Sequence, residues 1–169
     1  MEFLAARPEE AEEFSNYARP LWLDANESLV GGGRRMIEEV CEDWIGPETV
    51  RRKMGEGYVF EYLMEGEDRG GFLSYRVLDG DSVEIDKLYI EPGMRGKGYG
   101  GRALCHVLDL GREGGCSKAV LVVNSRNLPA ISFYEGFGFA RERSVTYRRG
   151  GWPETCLHVM SLDLGSGRP

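Results

Sequence analysis

The stretch Glu91-Pro92-Gly93-Met94-Arg95-Gly96-Lys97-Gly98-Tyr99-Gly100-Gly101 decides how this chain folds. The apolar run Leu88-Tyr89-Ile90 precedes it, and Ala103, Leu104, Val107, Leu108 and Gly111 follow at the spacing of one helix face. The segment therefore reads strand, glycine-rich loop, helix. Glycines let a backbone turn sharply and approach a ligand. Their successive N–H groups can line one concavity beside the positive end of a helix dipole. Arg95 and Lys97 add charge there, so the loop reads as a site for a phosphate or diphosphate.

Two common phosphate loops do not fit. A P-loop needs Gly-x-x-x-x-Gly-Lys followed by Ser or Thr, whereas Lys97 precedes the last glycines and no hydroxyl follows. A dinucleotide fingerprint needs Gly-x-Gly-x-x-Gly, whereas Gly96, Gly98 and Gly100 are evenly spaced. What matches is Arg95-x-x-Gly98-x-Gly100 after Leu88-Tyr89-Ile90-Glu91-Pro92. This resembles the pyrophosphate loop of the GNAT acetyltransferase superfamily. Downstream, Asn127-x-x-Ala130-x-x-Phe133-Tyr134-x-x-x-Gly138-Phe139 resembles the second signature of the same family. The two motifs fall in the family's order.

The rest of the chain bounds this reading. At 169 residues it suits one domain over 1–169 with a sizeable core, and a disordered tail over 165–169 is expected. The net charge of −7 argues against a nucleic-acid partner. Cys41, Cys105, Cys116 and Cys156 show no metal-ligand spacing, so no metal is expected. No apolar run suggests a signal or a membrane span, and a cytoplasmic protein is expected.

Patterning predicts a first strand over Glu2–Ala6 and a helix from Pro8 to Tyr17. An irregular stretch from Arg19 to Gly33 follows, then a helix over Arg34–Trp44 and a short one through Met54. Strands follow at Tyr58–Met64, Gly71–Leu78 and Ser82–Ile90, with tight turns at Gly66-Glu67-Asp68 and Asp79-Gly80-Asp81. Along Ser82–Ile90 both faces are mixed, as for a strand whose end lines a polar cleft. Ala119–Val123 reads as a buried parallel strand. Asn127 caps a helix that stops near Gly136. Phe139–Arg148 and Thr155–Leu164 are the last strands.

The resemblance implies an α/β (α+β) GNAT fold: a twisted mixed sheet of about six or seven strands, helices on both faces, and a splayed central strand pair. That pair would be Ser82–Ile90 and Ala119–Val123. It implies an acetyl-coenzyme A-dependent N-acetyltransferase acting by direct transfer in a ternary complex on an amine of a small molecule, amino acid or peptide. Acetyl-coenzyme A would be held by Leu88, Tyr89, Ile90, Arg95, Gly96, Lys97, Gly98, Tyr99, Gly100, Asn127 and Tyr134. The Ile90 amide would polarise the acetyl carbonyl.

Transfer to an amine needs the ammonium deprotonated and the leaving thiolate protonated. Glu84, in the family pattern Glu-x-x-x-Leu-Tyr, is the candidate base, with Asp86 as alternate. A substrate-positioning role, or an ion pair with Lys87 or an arginine, also fits Glu84. Tyr134 is the candidate general acid; a phenol packed under the helix is the structural reading of the same residue. Asn127 suits either the cofactor arm or a helix cap. Two other classes stay open: a non-catalytic acyl-coenzyme A-binding module on the same fold, and an ATP-binding protein using the same loop. A homodimer is one option for the assembly.

Overall fold

The computed structural model describes residues 1–78, 81–148, 150 and 153–165. Seven strands form one sheet: β1 (Glu2–Ala5), β2 (Val59–Glu65), β3 (Asp68–Leu78), β4 (Ser82–Ile90), β5 (Lys118–Asn124), β6 (Ala140–Tyr147) and β7 (Thr155–Asp163). Their order across the sheet is β1-β2-β3-β4-β5-β7-β6. Every neighbouring pair is antiparallel except β4 and β5. Parallel neighbours need a crossover, and the helix after the glycine-rich loop supplies it.

The helices are α1 (Ala11–Asn26), α2 (Arg34–Ile45), α3 (Pro47–Gly55), α4 (Tyr99–Glu113) and α5 (Leu128–Gly136). They divide between the two faces. Leu104, Val107 and Leu108 of α4 share a core with Val83, Ile85, Leu121 and Tyr134. On the other face Phe14, Trp22, Ile37 and Val50 of α1–α3 pack on Phe60, Tyr62 and Phe72. The expected sheet, flanking helices and parted strands are all present. No helix among the described residues is long and apolar enough to cross a membrane.

One expected boundary is corrected. The first helix does not stop at Tyr17 but continues through Pro20 to Asn26, taking in much of the stretch expected to be irregular. An interior proline costs about 3 kcal/mol through a lost hydrogen bond and a clash. Here Pro20 lies on the solvent side, where the freed carbonyl can be hydrated, while Ala18, Leu21 and Trp22 are buried. Burying Leu21 and Trp22 stabilises by about 2–3 kcal/mol each, which outweighs the break. Asp79 and Gly80 of one expected turn lie outside the described residues, as do Trp152 and Ser166–Pro169.

Candidate active site

The site begins with a failure of pairing. β4 and β5 are in register only over Ser82–Ile85 and Lys118–Leu121. Beyond that point β4 stays with β3 and β5 stays with β7, so the two strands part. A bulge on β4 helps to bend it away. Ser74 of β3 faces Lys87 and Tyr75 faces Ile85, leaving Asp86 as the extra residue.

The bulge also resets which side chains face which layer. Before it, Val83 and Ile85 enter the core under α4; after it, Leu88 and Ile90 do, and Tyr89 turns to the α1–α3 side. This phase shift, rather than a polar cleft alone, is why both faces of the strand read as mixed. The interval of three between Ile85 and Leu88 is the sequence signal that marks it.

Along the parted edge main-chain groups are left over. The amide of Glu91 donates to Gly70 on β3. Strand amides alternate sides, so the N–H and C=O of Ile90 face the gap toward β5. Nε of Arg95 donates to the Ile90 carbonyl at 3.0 Å, and Nη2 of Arg95 reaches Asp24 of α1 at 2.7 Å. The Arg95 side chain thereby braces the end of β4 against α1.

The loop itself keeps its donors free. Among the described residues, the amides of Gly96, Lys97, Gly98, Tyr99 and Gly100 have no main-chain acceptor. Gly96 has φ +73° and Gly98 φ +84°, conformations that a β-carbon would strain, and nothing lies within 4 Å of where one would point. Five successive amides without a main-chain acceptor thus lie at the N-terminus of a 15-residue helix, with the exposed Lys97 among them. The donor set suits a diphosphate.

The gap opens into a cavity of about 170 Å³ between the sheet and α1–α2. Leu88, Tyr89, Asn127 and Tyr134 line it. Tyr134 is nearly buried, and no described residue hydrogen-bonds its hydroxyl. Burial, and secondarily Tyr89, pushes its phenol up, so it stays protonated at neutral pH. Burial likewise pushes Tyr89 up to about 12. Asn127 does cap α5, its side chain accepting from the Ala130 amide at 3.3 Å, while also lining the cavity.

Glu84 is not brought to the cavity, whose lining on β4 starts at Ile85. Its carboxylate accepts from the Tyr58 hydroxyl at 2.8 Å and from Arg76 at 3.1 Å. The bulged Asp86 does line the cavity. Lys53 Nζ lies 2.6 Å from one of its oxygens and Lys87 Nζ 2.7 Å from the other. Burial alone would push the Asp86 carboxyl up, but the two ammonium groups outweigh it and hold it below the ordinary value. Burial pushes Lys87 down to about 8 against the pull of Asp86.

Lys87, which the sequence offers only as an ion-pair partner for Glu84, thus joins the site. Its signal was a lysine in the run Val83, Ile85, Lys87, Tyr89, where apolar side chains are otherwise the rule.

Solved acetyltransferases share this architecture. The PaiA N-acetyltransferase from Thermoplasma acidophilum, solved with coenzyme A, superposes with a TM-score of 0.74 at 18% identity, covering 96% of this chain and 99% of that one. An uncharacterised N-acetyltransferase of Mycobacterium tuberculosis is 33% identical over 155 residues, 83% of this chain and 98% of the relative. Thialysine N-epsilon-acetyltransferase of Sus scrofa is 27% identical over 143 residues, 72% and 84%. The Acetyltransferase (GNAT) family model matches residues 12–139, and the chain belongs to that family of acetyltransferases.

Proposed function

We propose that the protein is an N-acetyltransferase that moves the acetyl group of acetyl-coenzyme A directly to a primary amine of a small molecule, amino acid or peptide. One observation carries the reading: the strands part after Ile85 and Leu121, beside five unpaired amides at the start of α4. A cradle for a diphosphate and an edge for an extended arm then lie end to end.

The residues present fit this co-substrate. The amides of Gly96–Gly100 and the Lys97 side chain would hold the diphosphate, and the unpaired edge of Leu88–Ile90 its arm. When bound, it supplies an activated acyl carbon as a thioester. The Ile90 N–H, fixed by the Arg95 bond to the same residue's carbonyl, faces the gap, where it would stabilise negative charge on the acyl oxygen. Tyr134 would give its phenolic proton to the departing sulfur as the C–S bond breaks and the N–C bond forms, and the proton that the nitrogen sheds on becoming an amide would restore the phenol. The acceptor ammonium must first lose a proton. Of the two β4 carboxylates, Asp86 lines the cavity, so the proton is taken there, directly or through water, rather than at Glu84.

Thiol release is measured with acetyl-coenzyme A and a panel of amines, alongside coenzyme A binding. Turnover on at least one amine is expected. Binding with no turnover on any amine would instead favour a non-catalytic module, and stronger binding of ATP than of coenzyme A would defeat the reading.

A further inference from the structure

The charged groups lining the cavity, among the described residues, are Asp86 and Lys87. They do not balance. Lys53 and Lys87 both hold the Asp86 carboxylate, which leaves an excess positive charge. The neighbouring Arg76–Glu84 pair is already neutral and does not offset it. Lys87 carries the excess into the cavity. Its side chain is 2% exposed, with one bond to Asp86 and the Trp44 ring 5.6 Å from Nζ. An ammonium has three donors, and no other described residue accepts from this one. A buried cation with unused donors calls for an anion.

Apolar and aromatic side chains, Trp22, Met36, Val40 and Trp44 among them, line the α1–α2 side together with Asn26, and Asn124, Asn127 and Thr155 add neutral polar groups but no charge. Such a cavity repels a polycation, having no spare carboxylate for a second ammonium. It suits a molecule that brings its own negative charge beside the amine and an apolar body behind it.

We propose that Lys87 anchors a carboxylate of the acceptor, so that the substrate is a free amino acid with an apolar side chain, its ammonium facing Asp86 and its side chain packed on Trp22 and Trp44. This rests on the cavity being the acceptor pocket of an N-acetyltransferase. The lowered proton affinity of Lys87 agrees, since a buried ammonium short of negative neighbours is one that a bound carboxylate would stabilise.

The test compares L-phenylalanine and L-methionine with their decarboxylated amines and with spermidine, in the wild type, Lys87→Met and Lys87→Arg. The wild type should favour the amino acids by at least about tenfold in kcat/KM, the value of one charge-assisted hydrogen bond. Lys87→Met should erase that preference through KM, and Lys87→Arg should keep part of it. Tryptophan fluorescence is titrated with N-acetyl-L-phenylalanine, which has the carboxylate but no amine. It should bind the wild type at least about tenfold more tightly than Lys87→Met, and it reads the anchor whether or not any amine turns over. Equal or better use of the decarboxylated amines or spermidine overturns the anchor while leaving acetyl transfer intact. Equal binding of N-acetyl-L-phenylalanine to both proteins overturns it too. Absence of turnover on every amine counts against acetyl transfer itself, and the fluorescence titration then decides the anchor alone.

Discussion

Tyr134→Phe separates chemistry from folding more cleanly than any other change in this site. The substitution removes one oxygen and nothing else. That oxygen bonds to no described residue, in a residue that is 9% exposed. Losing an unpaired hydroxyl that borders the cavity is near neutral for folding. The ring keeps its contacts with Phe133 and Phe139 at 5.2 and 5.7 Å. Catalysis should respond far more. Burial keeps the phenol protonated, so the wild type has a proton ready for the leaving sulfur at neutral pH. A positioned general acid contributes about 10²–10⁴-fold, or roughly 3–5 kcal/mol at 1.36 kcal/mol per decade. Turnover by thiol release should fall at least about 10²-fold, with coenzyme A affinity by calorimetry and the melting temperature both unchanged. Turnover within about threefold of wild type, in a protein that still binds coenzyme A, would remove Tyr134 from the chemistry.

Glu84→Gln should leave kcat within a few-fold of wild type, because its carboxylate serves Tyr58 and Arg76 outside the cavity; steady-state kinetics decide it, and a loss beyond about 10²-fold would restore Glu84 as the base. Arg95→Ala should cost more in kcat than in coenzyme A affinity, since Arg95 holds the Ile90 carbonyl, and Lys97→Ala the reverse. Calorimetry beside kinetics separates the two, and a matched loss of affinity in both variants would put Arg95 back on the phosphate. Stability should rise with pH between about 8 and 9, before the buried Cys41 thiol, pushed up to about 11, begins to oppose it by ionising first in the unfolded chain. Folded Lys87 titrates near 8 against an ordinary 10.5, so in that window the unfolded chain binds the proton that the folded one has lost. Above about 9 the trend should flatten and above about 10 reverse, as tyrosines such as Tyr89, pushed up to about 12, also ionise first in the unfolded chain. Urea denaturation across this range should show the rising limb in the wild type and flatten it in Lys87→Met; an unchanged slope in the variant would assign the effect elsewhere.

Local chemistry made much of this architecture readable in advance. Gly96 and Gly98 next to an apolar strand and an amphipathic helix specify a turn whatever the rest of the chain does. Asn127 followed by Pro129 marks a helix start through bonds that span three residues. What could not be read depends on distant partners. Asp24 lies far from Arg95 in sequence, and nothing near Arg95 says that it will turn back to α1 instead of outward. Pro20 reads as a stop because the gain from burying Trp22 comes from residues on other elements. Glu84 and Asp86 look equivalent on an alternating strand. They part company only because a bulge, visible as one skipped beat in the apolar pattern, turns Asp86 into the cavity and leaves Glu84 behind.

The short contact between β4 and β5 has a mechanical consequence. Four rungs, Ser82–Ile85 against Lys118–Leu121, form a spine between two leaves of sheet. Asp86 and Ile90 ride on one leaf. Tyr134 lies on α5, which the chain reaches directly from β5 of the other leaf. The opening angle of the book therefore sets how far proton donor and charge-stabilising amide stand apart. A wedge at the spine should act on turnover from a distance: a β-carbon at Gly111 would press within 2.6 Å of Val83, far from any reacting atom yet at the hinge on which their spacing depends.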